Sequence, residues 1–519
     1  TFTKKIKAGT MAYELKQYSV AAEMLEEEFK KAKDDNTKAR LAFLTGESYN
    51  KIGETNTALN WYSKATDLKF GPIAKEKKAL MLKQAQRYNE AVKIFQELLN
   101  EGDRIEFYRR EIAISKLASE WVNSDQQKYK IDKAYFNTKA SDYSPYYLDY
   151  HRIFFSSDRA NSRTEEIYNW TGRTYSDIYV YDELSGNVSH IDPIINSENN
   201  EGTISFGNDG NRMFFTRCFT EEDYDDYCII MESTYENNSN WSQPKKLPFI
   251  DENINYGHPF WVEKDSVLFF SSKQSSGYGG FDLYFAIQDS TGIWSDPSSL
   301  GAVINTEGDE KFPTLKDDTL YFASDGHLGM GGLDIFYTYI KDGKWARPLN
   351  MKSPINSGAD DFSMVFEPSA DNSYQKNGYL TSSRGGDDDI YTFSEIVPVK
   401  KDEVSENPAE EDSLNLKLVI TIAKEDAGGN KSLFPEANLY VEGNRRELTT
   451  DAFSLIDIEP GSYEIEVNAP GYFNKKIIFQ TDLKMIPEDT EEALRRVAFF
   501  RDVLENPKID KIGQNIKYD

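Results

Sequence analysis

Residues that do chemistry are sparse in this chain, and few of them are grouped. The four histidines, His151, His190, His258 and His327, fall in separate stretches, with neither zinc-ligand spacing nor a nucleophile elbow beside any of them. Gly277-Tyr278-Gly279-Gly280 and Gly329-Met330-Gly331-Gly332 have the glycine density of a phosphate loop. Each leads into Asp and a strand-forming pair, where a phosphate site needs the start of a helix, so both read as turns. The acidic runs Asp387-Asp388-Asp389 and Asp223 to Asp226 supply the oxygens that Ca²⁺ takes. One Asp of each run recurs at a fixed place along the chain, which makes turn bonding the simpler reading. No catalytic residue, cofactor site or metal site is assigned on these grounds. Cys218 and Cys228 lie equally far from Asp223. In a hairpin turning there they face each other across two antiparallel strands, within disulfide reach. Two free thiols on neighbouring strands are the alternative.

The elements that position these residues come from a repeat. An aromatic or apolar pair, small polar residues, a turn, then Asp with two strand formers occurs five times between about Ser144 and Ile396: Phe154-Phe155 with Asp177, Phe214-Phe215 with Asp226, Phe269-Phe270 with Asp282, Tyr321-Phe322 with Asp334, and Tyr379-Leu380 with Asp389. The period of roughly 50 residues belongs to blades, solenoids or arrays. Trp241, Trp294 and Trp345 keep step with it, each ahead of an Ile-Asn pair (Ile254-Asn255, Ile304-Asn305, Ile355-Asn356). Short strand runs that cannot bury a core alone point to radially packed sheets, a β-propeller over 130–396. Five copies favour five blades, with six kept open. Lys130 to Thr138 precedes the first copy and is placed to supply the outer strand that the short fifth copy lacks.

Over 1–122 the pattern is helical. Gly9 and Ala21, Gly46 and Ala58, and Ala79 and Ala91 are each 12 apart, and the pairs bracket the 34-residue tetratricopeptide (TPR) period. Small residues at these places let paired helices approach. Pro72 marks the end of the middle unit, and the amphipathic stretch Arg104 to Val122 reads as the cap such an array needs. The TPR position pattern puts Arg40, Phe43, Glu47, Asn50, Lys51 and Lys83 on the concave, partner-binding face. Residues 397–413 have linker composition, alternation over 414–485 reads as a small antiparallel β-sandwich, and 486–519 holds one predicted helix (490–504) and a polar tail. The fold class expected is therefore multidomain α+β: an α-solenoid, a propeller and a sandwich.

The run Asp209-Gly210-Asn211-Arg212-Met213-Phe214-Phe215 resembles the PD40 subtype of WD40-like repeat found in TolB-type propellers. Pro460-Gly461-Ser462-Tyr463 with Ala469-Pro470-Gly471-Tyr472 looks like a carboxypeptidase regulatory-like domain. In this order the modules resemble a PorE-like family of Gram-negative periplasmic proteins, associated with type IX secretion, that usually end in an OmpA-type peptidoglycan-binding domain. No stretch after Lys484 matches that last domain. The resemblance implies a non-enzymatic scaffold, periplasmic and associated with the outer membrane as a lipoprotein, that binds other envelope proteins of a multi-subunit complex. It implies no cofactor, and peptidoglycan binding only through the domain not seen here. An accessory role in outer-membrane barrel assembly and a glycan- or peptidoglycan-associated binding protein are the alternatives. The chain opens at Thr1 without Met, which fits a removed secretory signal.

The formal charge of −27 is uneven: residues 1–122 hold 22 Lys and Arg against 18 Asp and Glu, net +4, so the remainder carries −31. A surface so acidic is a poor match for nucleic acid, whose binding needs cations to displace counterions. Membrane contact is expected only through a lipid anchor or a partner.

Overall fold

The computed structural model describes residues 6–102, 104–124, 127–149, 151–160, 166–207, 210–219, 227–236, 240–341, 343–368, 376–396, 416–425, 431–433, 436–441, 443–448, 453–458, 462–468, 475–480 and 503–504. The chain forms two compact units, 1–399 and 400–519.

The first unit opens with seven helices: α1 (Gly9–Glu14), α2 (Tyr18–Lys31), α3 (Asp35–Lys51), α4 (Thr55–Asp67), α5 (Pro72–Gln84), α6 (Tyr88–Glu101) and α7 (Ile105–Val122), each packed on the next. The spaced small residues explain this stacking. A Cβ on Gly9 would lie 2.6 Å from the Leu25 side chain and one on Gly46 2.9 Å from the Tyr62 ring, while Ala21, Ala58, Ala79 and Ala91 are fully buried. The Asp34 carboxylate caps α3 by accepting the Thr37 N–H at 2.8 Å, a bond that satisfies one of the orphan donors of the first turn. Pro72 stands at the first turn of α5, where its missing N–H costs nothing. It opens the third helix pair, beyond ending the second as its place in the sequence implies.

Five antiparallel sheets follow. Their innermost strands are Asp142–Tyr147, Asn200–Phe206, Tyr256–Val262, Glu310–Lys316 and Asp361–Phe366. Successive inner strands are neighbours, and Asp361–Phe366 returns to lie beside Asp142–Tyr147, so the sheets close into a ring of the propeller kind. Closure is also made in register. Tyr129–Lys133 pairs with Asp389–Glu395 as the outermost strand of the fifth sheet, the role proposed for 130–138. The repeated aromatic pairs lie on second strands that are covered on both sides by neighbouring sheets, so these strands read as apolar runs without alternation. Phe155, Phe214, Phe215, Phe270 and Phe322 are all buried, each removal from water contributing about 2–3 kcal/mol.

The Ile-Asn pairs have a structural task. Asn196, Asn305 and Asn356 each accept the N–H and donate to the C=O of one residue at the start of a third strand, respectively Ile178, Leu283 and Ile335. Asn137 does the same for Ile390 across the closure, and Asn255 accepts from Cys228 N. The amide thus stands in for a missing strand partner.

In the second unit, Leu416–Thr421 pairs with Phe453–Ile458, Ala423–Glu425 with Lys431–Leu433, and Asn438–Val441 with Asn444–Arg446 and Ser462–Asn468, the last of which pairs with Lys475–Gln480. Val503–Leu504 pairs in parallel with Ala423–Lys424, so the last two residues of the helix expected over 490–504 are strand. The rest of that helix, the linker 397–413 and the acidic run 223–226 lie outside the described residues.

Candidate functional site: the ring axis and the helix-bearing end

Each inner strand carries one bulge, and the residue at each bulge is left-handed without being glycine: Ser144 (φ 51°), Thr203 (47°), His258 (55°), Phe312 (54°) and Ser363 (51°). Such a conformation costs on the order of 1–3 kcal/mol and persists only where the surroundings impose it. The surroundings here are the neighbouring sheets. Thr203 N donates to Ser156 Oγ at 3.1 Å, His258 N to Thr216 Oγ1 at 3.0 Å, and Ser144 N to Thr381 Oγ1 at 2.9 Å, each bond crossing from one sheet to the one before it. The five residues line the axis. His258 rests on Phe312 at 4.0 Å between ring centroids, and Phe312 on Phe362 at 4.6 Å, so the cavity left there is only ≈ 20 Å³, room for one water. His258 is bonded through Nδ1 to Ser271 Oγ, and burial pulls it down to about 3. It is a neutral packing group at any physiological pH.

At one end of the inner strands a carboxyl recurs in a box that comparison of the copies could have revealed. Asp142, Glu201, Glu310 and Asp361 accept from the backbone N–H of the residue four places earlier, Thr138, Ser197, Thr306 and Ser357, and from its hydroxyl. Three boxes receive an arginine: Arg159 on Asp142, Arg217 on Glu201 and Arg384 on Asp361. Each of these also donates to the carbonyl preceding an Asn clamp, Phe136, Ile195 and Ile355. In the fourth sheet His327 Nε2 meets the corresponding Ile304 carbonyl at 2.8 Å, and Glu310 is served by hydroxyls and an N–H alone. Burial lifts both Glu201 and Glu310 to about 7. Close by, burial and then the neighbouring Asp360 and Asp158 push Asp388 up to about 7, and Asp158, buried but opposed by Arg173, goes to about 6.

The repeated Asp acts within its own turn. Asp282 Oδ2 accepts Tyr278 N at 2.7 Å and Asp334 Oδ2 accepts Gly331 N at 3.2 Å, which is the turn bonding expected from sequence. The glycines of these turns are needed for close approach. A Cβ on Gly279 would strike the Glu307 backbone and one on Gly331 the Gly358 backbone.

The same end of the ring carries the helices, which meet it by their turns. At the start of α2, Ser19 N donates to the Trp170 carbonyl at 3.2 Å and Ser19 Oγ to that of Asn169 at 2.8 Å, while the Trp170 ring stands edge-on to Tyr18 at 4.9 Å. At the end of α3, the Lys51 carbonyl accepts Trp170 Nε1–H at 3.2 Å. Between α5 and α6, the Lys83 and Gln84 carbonyls press on Gly358, and Met330 is buried against Tyr88 and Ala118. Lys352 Nζ lies 5.4 Å above the Trp121 ring of α7.

This seating places the six residues expected to line a concave face. Arg40 and Lys51 are exposed, Asn50 is half-buried, and Phe43 stacks on Phe70 at 4.6 Å. Glu47 and Lys83 are corrected from that assignment because both are buried. Glu47 accepts the Tyr62 hydroxyl at 2.5 Å and pairs with Lys77 at 3.1 Å. Lys83 pairs with Glu111 at 2.8 Å. Bonds of this kind hold the array together and are not offered to a partner. Cys218 and Cys228 are opposite in register and joined by a disulfide.

No protein-family profile matches the chain, and no curated protein does. Among solved structures it is similar to TolB from Acinetobacter baumannii (13% identity, TM-score 0.29, covering 50% of this chain and 55% of that one). A protein of unknown function from Dyadobacter fermentans (12%, 0.33, 49% and 75%) and the Bacteroides ovatus xyloglucan protein GH43B (10%, 0.33, 68% and 92%) are similar to the same degree. The chain thus spans about half the length of the TolB structure. Likeness at these scores carries no argument about activity. No helix among the described residues is long and apolar enough to cross a membrane.

Proposed function

We propose that this chain is a non-enzymatic scaffold of the Gram-negative periplasm, held at the outer membrane as a lipoprotein and binding other envelope proteins of a multi-subunit secretion machine. In this reading α1 to α6 are three TPR-like units with α7 as their cap, the ring is a five-bladed PD40-type propeller, and the chain belongs with the PorE-like proteins. The observation that carries it is the seating of the helices. Turns of all three helix pairs grip the ring through Trp170, Met330 and Gly358, which makes two modules one stiff platform, while Arg40 and Lys51 stay open to solvent. The axis supports the same reading, since its ≈ 20 Å³ is far below the few hundred Å³ of a small-molecule site. Stiff surfaces presented on one chain raise avidity through effective concentration.

The test is quantitative co-isolation from native envelopes. The wild-type chain is expected to bring down a reproducible set of envelope proteins, and a double change of the half-buried Asn50 and exposed Lys51 to alanine is expected to reduce their yield. A wild-type chain recovered alone from gently solubilised envelopes would remove the scaffold reading.

A further inference from the structure

The turns Gly277–Gly280 and Gly329–Gly332 are fixed by the same kinds of bond to the loop that follows each sheet. Gly280 N and Gly332 N donate to the carbonyls of Gly308 and Gly358 at 2.8 and 3.2 Å. Phe281 N and Leu333 N donate to Asp309 Oδ1 and Asp360 Oδ1 at 2.8 and 2.7 Å. The two turns place Tyr278 and Met330 at corresponding positions, between the second and third strands of adjacent sheets. Their surroundings differ. Met330 is 0% exposed, sunk between Tyr88 of α6 and Ala118 of α7, whereas Tyr278 is 48% exposed. The helices run along the ring from the first sheet, gripped at Trp170, past the link between the fourth and fifth sheets at Gly358, to the fourth sheet at Met330. The next sheet on this path is the third, which carries Tyr278. The array stops at α7, with no second helix to pair with it among the described residues.

We propose that Tyr278 is a docking knob for an α-helical hairpin of another polypeptide, seated over the third sheet beyond the α7 cap. This inference rests on the scaffold reading and adds a second surface to it. The seats already filled in this chain give the chemistry of the partner. Met330 sits against an aromatic ring on one helix and an alanine on the next. Trp170 sits against Tyr18 and gives its N–H to the carbonyl of Lys51, the last residue of α3, one of the carbonyls a helix C-terminus leaves unsatisfied. Tyrosine combines both features, a flat apolar body and a donor at its tip. The partner hairpin accordingly supplies a small residue and an aromatic one on consecutive helices, with a helix C-terminal carbonyl to accept the Tyr278 hydroxyl. Its docking edge is neutral or basic, as the array's own is, because the ring it meets is acidic.

The experiment uses the full chain in its native envelope, with a photoreactive phenylalanine at position 278 for contact mapping and Tyr278→Ala for strength. The control is Tyr339→Ala, another exposed tyrosine (42%) on an outer hairpin. We expect the cross-link to join position 278 to a helical segment of a different protein near a helix C-terminus. Tyr278→Ala should lower recovery of that protein at least tenfold with an unchanged melting profile, and Tyr339→Ala should leave recovery at the wild-type level. Cross-links to a strand or loop, to a second copy of this chain or to lipid, or no intermolecular cross-link at all, would overturn the proposal. So would unchanged recovery with Tyr278→Ala, an outcome in which the scaffold reading stands; loss of all co-isolated protein from the wild type would take the scaffold reading down as well.

Discussion

Replacing Glu310 by glutamine should stabilise the ring above neutral pH, the reverse of what removing a bonded charge usually does. Glu310 is fully buried. It accepts Thr306 N at 2.8 Å, Thr306 Oγ1 at 2.7 Å and Ser324 Oγ at 2.7 Å, yet no arginine reaches it as Arg384 reaches Asp361. Burial dominates and raises its carboxyl from 4.5 to about 7. A carboxyl whose folded value exceeds its unfolded value leaves the folded state holding the extra proton. The stability it allows is therefore complete below about pH 4.5 and is lost as pH climbs towards 7. At about 1.4 kcal/mol per decade the full loss is about 3 kcal/mol. Glutamine keeps the acceptor for Thr306 N and needs the Thr306 and Ser324 hydroxyls to turn and accept from its amide, so about 2 kcal/mol should return at pH 8 and little at pH 5. For a ring of this size that is a melting-temperature gain of about 5 °C. Paired thermal melts of wild type and Glu310→Gln at pH 5 and pH 8 measure it. An equal fall in melting temperature at both pH values would mean that the buried carboxylate is charged and stabilising, and the reasoning would be wrong.

Three further outcomes follow from named contacts. Asn356→Ala removes the clamp on both backbone groups of Ile335 and leaves them unsatisfied in the interior; chemical denaturation should show a loss of about 2–4 kcal/mol, and a loss below 1 would mean water replaces the amide. Lys83→Met strands Glu111 inside the helical array and should cost about 3–5 kcal/mol, most of it regained in the double change with Glu111→Leu. Opening the Cys218–Cys228 disulfide frees a loop of about ten residues, so reduction should lower stability by about 2–3 kcal/mol, and the unreduced denatured chain should take up no thiol reagent.

Much of this was legible because repeats advertise themselves. Five copies of an aromatic pair followed by Asp were enough to call the sheets, and Lys130 to Thr138 could be read as the closing strand because the fifth copy is short. The Gly and Ala pairs 12 apart mark where the helices touch, as the close approach of Gly9 to Leu25 and Gly46 to Tyr62 shows. What the chain concealed is the role of single residues outside its periodicities. Trp170 and Met330 lie in turns far along the chain from the helices they grip, and neither sits in a pattern that names its partner. Lys83 and Glu47 fell on the expected helix face, but a position pattern does not say that Glu111 or Lys77 will cover them. The five left-handed residues on the axis are Ser, Thr, His, Phe and Ser, with no glycine among them; the one signal is the proline that follows three of them, Pro145, Pro259 and Pro313, since proline inside a strand belongs at a bulge.

The scaffold account is tested most directly by cross-linking mass spectrometry on the assembly isolated from native envelopes. It predicts intermolecular links from lysines on the helix-bearing end, Lys51 of α3 and Lys273 beside the third-sheet turn, to other envelope proteins, together with intrachain links that tie the helices to the ring. A native chain whose links are all intrachain would contradict it.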